Sequence, residues 1–295
     1  MAMHAARLAS ASRATVTRHA SALGRWETAV AQPSPELRPY VREYVGWFEH
    51  MTAPLVRREL PTDEAPLIFN LGAPIRLFDL RDPRRHRDVG SFITGAYDVA
   101  QLVGSEGPSG GLQINLSLLG IRRLVGRPLA DMKNQAVSLE DVFGPDARSW
   151  SDRLADAPNW DARFDLLDAF FRARFAEPSD IPAGVRCAWH RLRASGGRAP
   201  IGAIVQDVGW SQRHLVDRFR HELGIAPKVF ARILRFGGVV RALKGAPGPL
   251  SLADLAVASG YYDQSHLNRD VREFAGTTPA VLAASLLPDG GGFAV

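Results

Sequence analysis

Two segments near the C-terminal end of the sequence carry polar side chains between apolar residues spaced four apart. The apolar pair is Leu215 and Phe219 in the first segment, and Leu267 and Val271 in the second. This spacing predicts two helices that each bury one face and leave the other face polar. The polar faces and their flanks carry Ser211, Gln212, Arg213, Val216, Asp217, Arg218 and Arg220 in the first segment, and Asp263, Gln264, Ser265, His266, Asn268, Arg269 and Arg272 in the second.

These side-chain types are the ones that read base edges in double-stranded DNA. An arginine can donate two hydrogen bonds to guanine, and glutamine or asparagine can pair with adenine in the major groove. Serine and further arginines can hold phosphates. Each segment therefore has the chemistry of a recognition helix. The alternative is a helical bundle with a solvated basic face.

The two segments belong to an internal repeat. Four anchor positions recur at a constant offset of 52 residues, and the turn glycines Gly209 and Gly260 are offset by 51, so the second turn is one residue longer. A constant offset over four anchors favours a duplicated unit over a bundle of unrelated helices. The anchor pairs are Leu215 with Leu267, Phe219 with Val271, Gly224 with Gly276, and Pro227 with Pro279.

Each unit is predicted to be a short helix, a glycine turn and a second helix. The glycine permits the positive φ at which the first helix ends. Trp210 and Tyr261 follow the turns and are expected to fill the gap between the helices. Ser211 and Asp263 are suitable N-caps, so the recognition helices are predicted over about 211–223 and 263–275.

Residues 228–244 predict a helix that connects the two units. Seventeen residues at about 1.5 Å each give roughly 25 Å, and successive major grooves lie about 34 Å apart. Gly237 and Gly238 interrupt this segment, and each lowers helix propensity by about 1 kcal/mol. They either permit close packing or let the two units adjust to each other, and the sequence leaves both interpretations open.

The charge distribution also points to a polyanion partner. The chain has 295 residues and a net charge of +5, and residues 184–287 hold 14 Lys/Arg against 7 Asp/Glu, a local charge of +7 that leaves −2 for the remainder. A basic region of this kind fits DNA. The single cysteine, Cys187, excludes an internal disulfide, fits a reducing cytosol and is expected to be a packed core residue. No apolar run is long enough to predict a membrane span.

The remaining chain is expected to form a β-rich domain over 25–180. Strands are predicted at 67–71, 75–78, 91–95 and 111–118, and helices at 35–48, 118–125, 139–143, 149–154 and 161–175. Short strands separated by turns indicate a small β-barrel or sandwich. Residues 1–24 contain no acidic residue and are predicted to be a disordered extension, with a targeting peptide as the alternative. Residues 288–295 are predicted to be a flexible tail.

Residues 184–287 resemble the DNA-binding domain of the AraC/XylS family of bacterial transcription regulators. The resemblance rests on Gly260-Tyr-Tyr-Asp-Gln-Ser-His-Leu-Asn-Arg269, on Gly276-Thr-Thr-Pro279 and on the longer second turn. It implies seven helices, two helix-turn-helix subdomains and a linking helix. Carried over by position, it places base contacts at Arg213, Val216 and Asp217, and at Gln264, Ser265 and Arg269.

Asp217 departs from the family pattern, because that position is often basic in relatives. An aspartate there can accept a hydrogen bond from cytosine, or it can pair with Arg213 four residues before it. Arg218 is offset toward the flank and is expected to serve a phosphate. The first unit is therefore expected to contribute grip and register more than sequence choice.

The middle region resembles the N-terminal domain of a subgroup of the same regulators. The matching segments are 60–72, 120–128 and 139–144. The resemblance implies a cupin-like β-structure that senses small molecules, dimerises or both. The fold class is therefore α+β, with a small cupin-like β-barrel and its flanking helices before an all-α domain of two helix-turn-helix units.

Catalytic and metal chemistry receive no support from the sequence. Glu49, His50 and His86 lack the spacing of a metal-binding cupin, and residues 104–111 lack the ending of a phosphate-binding loop. No enzyme activity, metal or cofactor is expected. The predicted function is a cytoplasmic, sequence-specific transcription regulator that binds double-stranded DNA. RNA polymerase, a small-molecule effector and a second copy of the chain are candidate further partners. The alternative is a small-molecule-binding or cupin-type enzymatic protein with a DNA-binding tail.

Overall fold

A computed structural model describes residues 12–21, 24–80, 82–245, 251–286 and 292–294. Within these ranges a sheet-rich N-terminal domain precedes an all-helical C-terminal domain, which confirms the predicted α+β class. No helix among the described residues is both long and apolar enough to cross a membrane.

The N-terminal domain consists of two antiparallel sheets with short helices beside them. Its elements are β1 (Thr15–Ser21), β2 (Gly24–Ala31), β3 (Val41–Met51), β4 (Leu55–Glu59), β5 (Glu64–Asn70), β6 (Ile75–Phe78), β7 (His86–Val89), β8 (Phe92–Thr94), β9 (Gln101–Ser105), β10 (Ser109–Ser117), α1 (Leu118–Val125), β11 (Ala136–Ser138), α2 (Leu139–Phe143), α3 (Asp146–Asp156) and α4 (Trp160–Arg174). Two 3-10 turns lie at Pro35–Leu37 and Ala130–Met132.

The larger sheet has the order β1-β2-β3-β10-β5-β8-β11 among the described strands. Its central strand β10 alternates apolar and polar residues, as predicted. Leu112, Ile114 and Leu116 are fully buried, while Gln113 and Asn115 point to the opposite face. The aromatic side chains of α4 belong to the same core, where the ring of Phe164 stacks on that of Tyr44 at 5.7 Å.

The smaller sheet contains β4, β9, β6 and β7 together with a strand from the C-terminal end of the chain, β12 (Gly292–Ala294). β12 pairs antiparallel with β4. The prediction of a flexible tail over 288–295 is therefore wrong for residues 292–294, and the remaining residues of that segment lie outside the described ranges. Pairing with an edge strand supplies hydrogen-bond partners for backbone that the sequence alone leaves without any.

The predicted helix over 35–48 is wrong. Only Pro35–Leu37 forms a helical turn, and the rest enters strand β3 between β2 and β10. Val41, Tyr44 and Gly46 face the core, and their irregular spacing resembles helical periodicity although β-branched and aromatic residues favour strands. Gly46 has a packing role, because a Cβ there would lie 2.1 Å from the ring of Trp160.

The predicted disordered extension over 1–24 is wrong for the residues that are described. Thr15–Ser21 pairs along its whole length with β2. Just before it, Arg13 contacts the buried carboxylate of Asp168 at 2.8 Å, and Asp168 also accepts hydrogen bonds from Ser34 and from the Tyr44 hydroxyl. Residues 1–11 and 22–23 lie outside the described ranges.

The other predicted elements of this domain are confirmed. The strands expected at 67–71, 75–78, 91–95 and 111–118 correspond to β5, β6, β8 and β10, and the helices expected at 118–125, 139–143, 149–154 and 161–175 correspond to α1 to α4. Strands β1, β2, β4, β7, β9 and β11 were not predicted, because their exposed or mixed patterns carry little periodic signal.

The C-terminal domain contains seven helices within its described residues, as the resemblance implied. They are α5 (Ala183–Ala194), α6 (Ile201–Val208), α7 (Gln212–Leu223), α8 (Pro227–Gly245), α9 (Leu252–Ala258), α10 (Gln264–Ala275) and α11 (Pro279–Ser285). Cys187 lies half-buried on α5.

Candidate nucleic-acid interface

Two equivalent turns position the predicted recognition helices. Gly209 and Gly260 adopt φ values of 72° and 79°, which glycine tolerates without a steric penalty. At the start of α7, Ser211 Oγ accepts a hydrogen bond from the backbone nitrogen of His214 at 3.2 Å. At the start of α10, Asp263 Oδ1 accepts one from the backbone nitrogen of His266 at 2.7 Å. Both predicted caps are confirmed.

The buried faces of both helices agree with the repeat. Leu215, Phe219, Leu267 and Val271 are all fully buried. The aromatic residues after the turns pack on the first turn of each recognition helix. The rings of Trp210 and His214 are 4.6 Å apart, and those of Tyr261 and His266 are 5.1 Å apart. His266, a predicted DNA contact, is thus held against Tyr261 by ring packing.

The polar face of α10 is free to meet a ligand. Gln264, Ser265 and Arg269 are exposed, and their side chains have no hydrogen bond or ion pair with other described residues. Arg272 is also exposed, one turn further along. Asn268 differs from the prediction because it is half-buried and its Oδ1 is sealed from solvent.

The polar face of α7 is partly neutralised by its own carboxylates. Gln212, Arg213 and Arg220 are exposed, but Arg213 Nε lies 3.8 Å from Asp217 Oδ2. Of the two roles left open for Asp217, the free protein shows the ion pair. Val216 is half-buried between these polar residues.

Arg218, which was predicted to bind a phosphate, forms an ion pair within the protein. Its guanidinium lies 3.0 Å from Glu222 Oε1, and the Glu222 side chain is only 4 % exposed. Glu222 in turn accepts a hydrogen bond at 2.7 Å from Arg122 of α1, in the N-terminal domain. Arg122 also lies 3.0 Å from Asp180, and its hydrogen bond lowers the pKa of that carboxyl.

The second recognition helix also contacts the N-terminal domain at its C-terminal end. The guanidinium of Arg58, on β4, donates to the backbone oxygen of Ala275 at 3.1 Å. A cation suits this position because the last carbonyl groups of a helix carry partial negative charge. The N-terminal domain therefore contacts the C-terminal ends of both recognition helices and leaves their N-terminal ends exposed.

Helix α8 is the spacer between the two units. Its 19 residues span about 28 Å, and the prediction was seventeen residues spanning roughly 25 Å. Arg232 donates to Asp270 and Glu273 of α10 at 2.8 and 2.5 Å, and these hydrogen bonds raise the pKa of the guanidinium. On the other side, Phe230 stacks on Trp189 of α5 at 6.4 Å. The spacer is thus fastened to both units.

The double glycine of α8 is not explained by close packing. A Cβ on Gly237 would meet Arg241 at 3.5 Å, and a Cβ on Gly238 would meet atoms only at 4.0 Å. These are ordinary contacts with flexible side chains. The close-packing interpretation is therefore wrong, and the adjustment of the two units remains as the interpretation of these residues.

Sequence reasoning missed Arg58, Arg122 and Arg232, which connect the recognition helices to the rest of the chain. Their partners lie 38 to 217 positions away in sequence, so no local pattern could have identified them. No group of three or more His, Cys, Asp or Glu placed to hold a metal occurs among the described residues.

The geometry is that of two helix-turn-helix units joined by the helix α8. Residues 204–285 match a family model described as a helix-turn-helix domain. The matched segment begins inside α6 and ends at the last residue of α11, so it includes the turns and second helices of both units.

Solved structures with similar folds share low sequence identity with the chain. The C-terminal domain of the response regulator AraT from Geobacillus stearothermophilus is 18% identical, with 36% of this chain and 88% of that chain covered and a TM-score of 0.33. A structure of ToxT from Vibrio cholerae is 12% identical, with 88% and 98% covered and a TM-score of 0.45. An AraC-type transcriptional regulator from Chromobacterium violaceum is 22% identical, with 34% and 89% covered and a TM-score of 0.31. No curated protein matches the chain.

Proposed function

We propose that this regulator places α7 and α10 in successive major grooves and that α10 reads most of the sequence. The proposal rests on Gln264, Ser265 and Arg269 on the N-terminal half of α10, which are exposed and have no hydrogen bond or ion pair with other described residues. Side chains at this end of a recognition helix contact base edges. Arg269 is suited to a guanine and Gln264 to an adenine.

Helix α7 takes the supporting role in this proposal. Asp217 neutralises Arg213 at 3.8 Å and Glu222 holds Arg218 at 3.0 Å. Gln212 and Arg220 remain exposed for phosphate or base contacts, and the Ser211 hydroxyl can still donate to a phosphate while it caps the helix. The first unit thus supplies register and grip.

The proposed division of labour assigns residues 184–287 to DNA binding and residues 25–180 to modulation. A small-molecule effector, a second copy of the chain and RNA polymerase are the proposed further partners, and the cytoplasm is the proposed location. The N-terminal domain supports an effector role because a cavity of about 630 Å³ lies between its sheets, a size typical of small-molecule sites. The proposed function requires no catalytic step and no cofactor.

In vitro selection of double-stranded DNA by the full-length protein tests this proposal. At a fixed salt concentration we expect a bipartite motif whose two parts are centred about 10 base pairs apart. Selection with Arg269→Ala should lose preference within one part only. Arg148→Ala, at a mostly exposed arginine on α3, is the control and should leave the motif unchanged. Failure of the wild-type protein to enrich any motif would overturn the proposal.

A further inference from the structure

The cavity between the two sheets of the N-terminal domain has an ordered lining. Alternate residues of β3, β10, β5 and β8 face it from the larger sheet, and residues of β4, β9 and β6 face it from the smaller one. Because side chains alternate along each strand, the pairing register defines which residues lie side by side on the cavity wall.

The middle of the cavity is apolar. Ile68 pairs directly with Phe92 across β5 and β8, and Trp47 lies two strands away on β3, all on the larger sheet. From the smaller sheet, Leu77 pairs with Val103. All five side chains line the cavity. They offer a surface for the apolar body of a ligand, with two aromatic rings among them.

One end of the cavity is acidic. Glu43 is paired with Asn115 in the register of β3 and β10, and Glu64 lies at the start of the neighbouring strand β5. Asn115 Nδ2 donates to Glu43 Oε1 at 2.9 Å, and Gln113 donates to Asn115 Oδ1 at 2.8 Å. One N–H of each amide is thereby used within the wall, and one N–H of each remains. What the row presents to the cavity is mainly hydrogen-bond acceptors.

The lining as a whole contains more acidic than basic residues. Its acidic residues outnumber its basic residues by five to two, in a chain whose net charge is +5. One of the two bases, Arg57, is paired with Glu49 at 3.0 Å. The other, Lys244, is an exposed residue of helix α8. Two of the acids are paired with arginines outside the lining, Glu27 with Arg18 at 2.5 Å and Glu64 with Arg42 at 3.5 Å. The acidic residues of the lining are Glu27, Glu43, Glu49, Glu59 and Glu64.

A second and independent observation indicates an occupant. Thr94 of β8 lines the cavity and is only 4% exposed, and its Oγ1 has no hydrogen-bond partner among the described residues. A buried hydroxyl without a partner destabilises the folded state, and native structures rarely contain one without a reason. A ligand in this cavity can supply the missing partner.

We propose that this cavity binds an organic cation, a small molecule with an ammonium or guanidinium group and an apolar body. The cation lies between Glu43 and Glu64, and the apolar body lies between Trp47, Phe92 and Val103. Thr94 supplies a neutral hydrogen bond to the bound molecule. A carboxylate ligand of the same shape is excluded, because the acidic wall would repel it and offer it few donors. This inference rests on the proposed role of the N-terminal domain as a sensor.

The protonation of Glu64 makes the binding dependent on pH. Burial raises the pKa of Glu64 to about 7, and the neighbouring Asp63 and Glu43 act in the same direction, while Arg42 and Arg241 oppose them. Arg42 lies 3.5 Å from Glu64, and Lys244 is the further base on this cavity wall. Since alkylamines remain protonated near neutral pH, the affinity for the cation should rise as Glu64 ionises between pH 6 and pH 8.

The test compares two probes that differ only in their charged group, 4-phenylbutylamine and 4-phenylbutyrate. Isothermal titration of the full-length protein at pH 8 should show at least ten-fold tighter binding of the amine. Glu43→Gln and Glu64→Gln should each weaken amine binding about ten-fold, and Thr94→Val should weaken it about three-fold. Glu140→Gln, at an exposed glutamate on α2 that does not line the cavity, is the control and should bind the amine like the wild type.

The pH series provides a second readout. Wild-type affinity for the amine should increase up to ten-fold from pH 6 to pH 8, and Glu64→Gln should remove this dependence. Circular dichroism of each variant verifies its fold. Equal binding of the two probes, tighter binding of 4-phenylbutyrate, or no binding of either would overturn the inference. DNA binding measured on the same samples separates failure of this inference from failure of the proposed function. If the wild-type protein did not bind DNA, the proposed function would be wrong, whatever the result with the two probes.

Discussion

The guanidinium of Arg122 lies 2.7 Å from the carboxylate of Glu222, and both side chains are almost completely buried. The pair joins α1 of the N-terminal domain to the last turn of the first recognition helix. Nearby, the backbone nitrogen of Leu129 donates to the backbone oxygen of Glu222 at 3.2 Å. The orientation of α7 is therefore set in part by the N-terminal domain.

Replacement of Arg122 by methionine should strongly destabilise the protein. Among the described residues, Glu222 would remain buried with Arg218 as its one cationic neighbour, and breaking a buried ion pair on one side costs about 3–5 kcal/mol. Urea unfolding measures the effect. Arg127→Met, at an exposed arginine just after α1, is the matched control and should change stability by less than about 0.5 kcal/mol. Equal behaviour of the two variants would show that the pair contributes nothing.

Arg269→Ala should reduce discrimination at one base pair. Loss of a bidentate contact to guanine removes about 1–3 kcal/mol of preference at that position. The measurement is a set of affinities for the selected site and its single-base variants at constant salt. A uniform loss of affinity across all sequences would instead identify Arg269 as a phosphate contact.

Asp217→Asn should strengthen DNA binding and make it more dependent on salt. The substitution releases Arg213 from its ion pair at 3.8 Å, so one more cation is available to a phosphate and the salt slope should steepen by about 1. Asp207→Asn, on α6 and paired with Arg191, controls for the general loss of an acidic residue from the same domain. If both variants gave the same slope, the position of Asp217 on α7 would be irrelevant.

Gly237→Ala and Gly238→Ala should each stabilise the protein by up to about 1 kcal/mol, because alanine favours helix and neither site is crowded. Gly224→Ala should have the opposite effect. Gly224 has φ at 81°, and a Cβ there would lie 2.9 Å from the backbone oxygen of Leu129. Thermal unfolding compares the three variants. If the double glycine lets the two units adjust on DNA, the stabilised variants should also bind a bipartite site more weakly than the wild type.

Glu64→Gln should stabilise the protein at high pH and not at low pH. A carboxyl whose pKa is raised to about 7 in the folded state binds its proton more tightly there than in the unfolded chain. Stability therefore falls as pH rises from about 4.5 through 7. At about 1.4 kcal/mol per pKa unit, the variant should gain up to roughly 3 kcal/mol at pH 8 and little at pH 4.5. The free energy of unfolding at both pH values checks this, and a gain of equal size at both would contradict it.

The helical domain could be predicted from the sequence almost residue by residue. Its turns depend on Gly209 and Gly260, its caps on Ser211 and Asp263, and its buried faces on residues four apart, and all of these signals are local. The roles of single polar residues were harder to predict. Arg218 was expected to meet a phosphate, but it pairs with Glu222. That carboxylate is buried together with Arg122, which lies 100 positions away in sequence.

The β-domain was predicted in outline only. Strands with alternating patterns, such as β10, were recognised, whereas β3 was taken for a helix and β1 for a disordered segment. Every side chain of β1 is exposed, so pairing with β2 leaves no trace in its hydrophobic pattern. The cavity and its acidic end depend on strand register across the sheets, which no single segment encodes.

The pairing of β12 with β4 has a mechanical consequence. The chain leaves the N-terminal domain after α4, forms all seven helices of the DNA-binding domain, and returns to the sheet that contains Arg58. The helical domain is consequently connected to the N-terminal domain at two points, by the chain that follows α4 and by the pairing of β12 with β4. Rotation of the helical domain about a single hinge would require β12 to separate from β4. Smaller rotations that keep both connections would instead alter the angle between the two recognition helices.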